Sequence, residues 1–147
     1  MPELDRSWEE AAPVEGYWIT DDSERLDLAD IAARLTTDTY WLKGCDPEAV
    51  RTAFRNSMAF GVFDGQNRQV GFARVVTDQA LFAYLMDVFV IPERRGCGLG
   101  RRLVAAILAH PELRQVRTWM LASEDARDWY RQFGFEPVSR PEKYMRR

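Results

Sequence analysis

The chain changes its hydrophobic rhythm several times, and each change marks an element. The segment YWIT, from Tyr17, reads as a short strand. In DDSERLDLADIAARL, residues Leu28, Ile31, Ala32 and Leu35 fall at i, i+3, i+4 and i+7, the spacing of one helix face. Asp46 and Pro47 supply an N-cap and a first-turn proline for a second helix, whose apolar face of Val50, Ala53 and Phe54 runs to about Ser57. The period then drops to two. MAFGVFD, VGFARVVTD and LFAYLMDVFVI, separated by GQNRQ and a tight connection at residues 78–80, predict an antiparallel meander. The third of these is almost wholly apolar, as a strand buried on both faces would be, and Asp87 is its one charged interruption. A charge there needs a partner, because an uncommitted carboxylate in a buried strand is costly.

Helical spacing returns after Gly98, with Leu99, Leu103, Ala106, Ile107 and His110 on one stripe. VRTWMLA predicts a further strand. Ser123 then caps a helix with Ala126, Trp129, Tyr130 and Phe133 on its apolar face, ended by Gly134, and FEPVSRPEKYMRR is expected to add one or two short final strands. Trp129, Phe133 and Phe135 are expected in the core. The order β α α β β β α β α β predicts an α/β (α+β) fold: a mixed, mostly antiparallel twisted sheet flanked by about four helices.

Composition narrows the function more than the fold. At 147 residues the chain suits one domain, with an acidic, proline-containing lead-in of loose order over residues 1–15. A net charge of −3 and a pI near 5.3 argue against a nucleic-acid partner and for an amine-bearing one. His110 is the lone histidine, and Cys45 and Cys97 lack paired spacing, so no metal is expected and the cysteines read as reduced thiols. No apolar run reaches membrane-spanning length and the first residues carry no targeting pattern, which predicts a cytoplasmic protein without membrane contact.

The stretch IPERRGCGLGRRL, between the apolar strand and the next helix, is where the chemistry concentrates. A strand-to-helix turn gathers unpaired N–H groups and the positive end of the helix dipole, a setting that favours phosphate. Arg94, Arg95, Arg101 and Arg102 could equally form a solvated helix start or a nucleic-acid patch. Arg101 stands where GxGxxG needs its third glycine, and GxxxxGK[ST] does not fit either. What fits is Arg-x-x-Gly-x-Gly at Arg95, Gly98 and Gly100, preceded by Val90 and Pro92 and followed by Leu103.

Together with DARDWYRQFGFE, in which Ala126, Tyr130, Gly134 and Phe135 match a second motif, this stretch resembles the GNAT superfamily of N-acetyltransferases from about Tyr17 to Met145. The resemblance implies acetyl-CoA as co-substrate and a primary amine, on a small molecule or a protein, as acceptor. It implies that the backbone of Val88, Phe89 and Val90 pairs with the pantetheine arm, and that Arg95, Gly96, Cys97, Gly98, Leu99 and Gly100, with Arg101 nearby, wrap the pyrophosphate. Asp125 stands where the family often has Asn, keeping an acceptor but losing the NH₂ donor. Tyr130 matches the family's tyrosine acid. The family's frequent Glu base aligns with Tyr84; Asp87 is the nearest carboxylate, and strict alternation puts it on the opposite face unless a bulge resets the parity. Asp87 is thus either a catalytic candidate or a structural partner for an Arg. The acceptor pocket is expected between the first two helices and the meander, with Tyr40, Trp41, Arg74, Tyr84 and Trp119 as candidate lining residues. A homodimer is compatible with the family. The missing Glu and substituted Asn also admit an alternative, a non-catalytic acyl-CoA sensor of the same fold.

Overall fold

The computed structural model describes residues 4–147. Five strands form one sheet in chain order: β1 (Tyr17–Thr20), β2 (Met58–Asp64), β3 (Gln69–Thr77), β4 (Phe82–Val90) and β5 (Thr118–Met120). Neighbours are antiparallel except β4 and β5, which run parallel. That reversal requires a crossover, and helix α3 (Leu99–Ala109) supplies it. Helices α1 (Leu28–Asp38) and α2 (Pro47–Arg55) precede the meander, and α4 (Arg127–Tyr130) follows β5.

Local chemistry sets the helix starts. The Asp27 carboxylate accepts from the Asp30 N–H at 3.0 Å to open α1. Asp46 does the same for Glu48 at 3.0 Å, with Pro47 in the first turn of α2. The sheet separates two apolar layers. On one face Phe72 meets Phe54 of α2 edge-on and stacks on Phe89. Phe60 lies one register position away from Phe72 and so faces the other side, where Trp8 and His110 pack on it edge-on. The buried stripe of α3, which includes Leu103, Ala106 and Ile107, completes the core.

Three expectations are corrected. Residues 4–15 do not form a loose lead-in: Trp8 is only 4% exposed, inside a short 3₁₀ turn, Ser7–Glu10. The segment is tied down by Arg102, buried in α3, whose guanidinium donates to the carbonyls of Glu9, Val14 and Tyr17. Residues 134–147 form no strand; Pro137 and Pro141 each lack an N–H for a ladder, and only a 3₁₀ turn, Pro141–Lys143, breaks the irregular path. The helix after Ser123 lasts a single turn before a 3₁₀ turn (Arg131–Phe133) and Gly134, at φ +91°, close it. So short an element cannot bury a full stripe: Phe133 and Phe135 are half-buried and Trp129 is 38% exposed.

The anchored N-terminal segment can be tested directly. Trp8→Ala should lower the unfolding free energy by about 3 to 5 kcal/mol in urea denaturation; an unchanged midpoint would mean that the segment contributes no core.

Candidate active site

The site begins with a fault in the sheet. Opposite Phe72 of β3 lies Phe89, but opposite Arg74 lies Met86, so Asp87 and Val88 together face Ala73 alone. This is a β-bulge, with Asp87 at φ +55°. It resets the side-chain parity. Tyr84 and Met86 share a face with their partners Val76 and Arg74, and the Asp87 carboxylate reaches that same face to pair with Arg74 Nε at 2.5 Å. Strict alternation would have put Asp87 on the other side from Tyr84. Its second oxygen accepts from Trp41 Nε1 at 2.8 Å, and its side chain is 2% exposed.

Past the bulge, β4 has no strand beside it on one edge. β5 pairs with it only from Phe82 to Tyr84, after which the two strands part. Ile91 donates its N–H to Val70 on β3 at 2.9 Å, so the groups of Val90, one residue earlier, point to the free edge. There the Val90 carbonyl accepts from Arg95 Nε at 2.8 Å, with the Arg95 guanidinium lying over the Phe89 ring.

The glycine loop follows. Gly96 and Gly98 have φ of +84° and +90°, which side chains rarely tolerate, and Gly98 is the N-cap of α3. The first intrahelical bond runs from the Arg102 N–H to the Gly98 carbonyl, which leaves the N–H groups of Leu99, Gly100 and Arg101 at the open helix end. The four arginines separate. Arg94 pairs with Asp64 at 3.0 Å and Arg102 is buried, so Arg95 and Arg101 alone stay exposed at the loop. The N–H groups of Arg68 and Gln66, joined by Arg94, hold the Asp64 carboxyl below its usual range. Cys97 turns its thiol back to the Arg94 carbonyl at 3.2 Å. Leu99 and Phe89 are buried, so only their backbones can face a ligand.

Two cavities meet at the parted strands. One, of about 440 Å³, lies along the loop and includes Val88, Val90, Gly96, Gly98, Gly100 and Arg101 in its walls. The other, of about 770 Å³, holds Tyr40, Trp41, Tyr84, Asp87 and Asp125. Val88, Ala126 and Tyr130 line both. Burial, helped by Tyr40 and the charge of Asp125, pushes the Tyr130 phenol up to about 12, so it carries its proton at neutral pH. The Tyr40 hydroxyl accepts from the Glu124 N–H at 3.1 Å, which ties the α1–α2 connection to the far wall.

Most of the candidate residues thus converge, with two exceptions. Arg74 is locked behind Asp87 with its side chain 12% exposed, and Trp119 lines not the larger cavity but an adjoining hollow of about 390 Å³, which shares Tyr130 and Leu121 with it. Trp129 was missed: its indole lines the loop cavity, and a Cβ on Gly100 would lie 3.4 Å from it. Its place on a helical apolar stripe points to the core, and only the shortness of α4 leaves it facing the cleft.

Comparison with known proteins gives this geometry a family. Residues 55–137 match the family model described as an acetyltransferase (GNAT) domain. A Gibberella zeae relative whose acetyltransferase assignment is itself inferred is 31% identical over 122 residues, 68% of this chain and 69% of the relative. A crystal structure of a GNAT-family protein from Xanthomonas campestris pv. campestris has a TM-score of 0.87 at 41% identity, covering 92% of this chain and 94% of that one. A Clostridium acetobutylicum structure solved with acetyl-CoA shares the fold, with a TM-score of 0.64 at 15% identity over 84% of this chain and 90% of that one. The protein is an acyltransferase. It belongs to the GNAT family of acetyltransferases. No helix among the described residues is long and apolar enough to cross a membrane.

The Asp87 anchor has a measurable signature. Asp87→Ala strands the Arg74 guanidinium and should cost about 3 to 5 kcal/mol by urea denaturation. Asp87→Asn also loses the ion pair but keeps an acceptor for Trp41, so it should cost less than Asp87→Ala; equal costs would mean that the bond to Trp41 adds nothing, and a negligible cost for both would mean that the ion pair does not hold the bulge.

Proposed function

We propose that the protein transfers the acetyl group of acetyl-CoA to a primary amine by direct attack, with Tyr130 as general acid. The observation that carries this reading is the single proton-bearing phenol shared by the two cavities. The residues present suit acetyl-CoA. Two positive-φ glycines, the open N–H groups of an eleven-residue helix and the exposed Arg101 fit a pyrophosphate, and the free edge of β4 fits an amide-bearing arm. When bound, acetyl-CoA supplies the thioester that the amine attacks and the thiolate that leaves.

The chain's own groups do the rest. Gly96, Cys97, Gly98, Leu99 and Gly100 offer backbone to the phosphates, while Arg95 and Arg101 add charge. Residues 88–90 orient the arm, and the Val90 N–H, on the free edge, is aimed to donate to a carbonyl oxygen as negative charge grows on it. Tyr130 holds a proton for the departing sulfur. Tyr40, Trp41 and Tyr84 wall the acceptor side. Of the two readings of Asp87, the doubly occupied carboxylate supports the structural one: it fixes Trp41 and the bulge, and Tyr84 brings no base in its place. The amine's proton then passes to water in the open cavity.

Acetyl-CoA should raise the melting temperature, and Arg101→Glu, a surface change, should remove most of that rise; no shift with the wild type at saturation would sink the proposal. Tyr130→Phe should lower kcat about a hundredfold while KM for acetyl-CoA stays within about twofold. Because the phenol titrates near 12, it stays protonated through the assay range, and the deficit should be constant from about pH 7 to about pH 9. A deficit that disappears at high pH would assign the proton to another group.

A further inference from the structure

The carboxylates around the larger cavity are not equivalent. Asp87 is committed to Arg74 and Trp41. Asp125 is exposed, and its side chain makes no hydrogen bond or ion pair among the described residues. It lines the 770 Å³ cavity with Tyr40, Trp41 and Tyr84, and also a hollow of about 290 Å³ that reaches Arg95 and the open edge of β4. Asp125 therefore stands where the aromatic wall meets the parted strands. Its charge acts at that point, since it adds to burial and Tyr40 in holding the proton on Tyr130.

We propose that Asp125 selects the acceptor, drawing in the ammonium form of a primary amine on an apolar or aromatic stem and turning away amines that carry an α-carboxylate. This deepens the acetyltransferase reading and rests on it. An alkyl amine with a pKa of about 10.4 arrives at neutral pH as a cation. A carboxylate and the faces of aromatic rings are the groups that hold such a cation. The same carboxylate repels an acceptor's own carboxylate, and a unit-charge contact at about 4 Å, between the bulk-water and protein-surface limits, is worth about tenfold in affinity. Glu124 adds a second carboxylate to the wall and Arg146, from the exposed tail, one opposing charge, so the balance stays negative. An asparagine at position 125 would supply no such field. The position that the family resemblance assigns to the pantetheine contact would, in this chain, serve the amine.

The test is calorimetric binding of two compounds with the same stem, phenethylammonium and phenylalanine, to the full chain. The wild type should bind phenethylammonium about tenfold more tightly than phenylalanine. Asp125→Asn should weaken phenethylammonium about tenfold, with phenylalanine unchanged or tighter, acetyl-CoA affinity within about twofold and the melting temperature unaltered. Asp125→Glu, which keeps the charge, should retain the preference. Absence of phenethylammonium binding by the wild type, equal affinities in wild type and Asp125→Asn, or a loss confined to acetyl-CoA would each overturn the proposal. Because the readout is binding, a chain that holds the amine yet never acetylates it would refute the catalytic reading, and Asp125 would then select a ligand rather than an acceptor.

Discussion

An aspartate at φ +55° in the middle of a sheet strand is kept there by what its carboxylate touches, and here it touches Arg74 and Trp41. The left-handed conformation costs a non-glycine residue about 1 to 3 kcal/mol. Removing one partner from a buried ion pair costs about 3 to 5 kcal/mol, so the pair outweighs the strain and the bulge persists. Everything in the cleft inherits that outcome. The extra residue sets the parity of β4 beyond it, where the strand no longer pairs with β5, and the Val90 N–H stands on the free edge while its carbonyl accepts from Arg95. The bond to Trp41 also anchors the α1–α2 connection over the cavity. One carboxylate thus shapes both the free edge of β4 and the aromatic wall of the larger cavity.

In the proposed reading, the loop would let an acidic chain of net charge −3 present an anion site. Net charge governs encounter and solubility, whereas affinity at a helix start comes from N–H groups within hydrogen-bond reach. The arginines in the sequence overstate the local positive charge. Arg94 is neutralised by Asp64, and Arg102, buried, turns its two Nη groups to three backbone carbonyls, those of Glu9, Val14 and Tyr17. In that reading, two exposed arginines beside a glycine-lined helix end would suit a compact diphosphate.

The meander, the helices and the cap of α2 were legible because each rests on local signals: period-two alternation, i/i+4 stripes, and Asp46 before Pro47. The crossover strand and the glycine loop were legible for the same reason. What escaped depends on contacts distant in sequence. Nothing near Trp8 announces that Arg102 will collect the carbonyls around it, and nothing in FEPVSRPEKYMRR besides its prolines argues against strands. The face on which Asp87 emerges turns on a bulge that alternation cannot reveal. The aromatic stripe of Trp129 and Tyr130 obeyed helical spacing, but its burial depended on a helix length that the sequence overstated.

That shortened helix is also what brings the two halves of the cleft together. The Trp129 indole meets Tyr130 and Phe133 edge-on, and it lies against Gly100, where a Cβ would come within 3.4 Å. Gly100 therefore has two duties: it leaves the first turn of α3 unobstructed, and it gives the indole a flat seat. Phe135 also packs edge-on against Tyr130, just after the Gly134 turn. The Tyr130 ring thus packs against one ring seated on α3 and another supplied by the chain as it leaves α4. The loop that would bind phosphate and the hydroxyl that would protonate sulfur sit on different elements, about a strand and a helix apart in sequence, yet share one indole as a spacer. Their separation is set by packing, which is why glycine at position 100 matters to the tyrosine as much as to the loop.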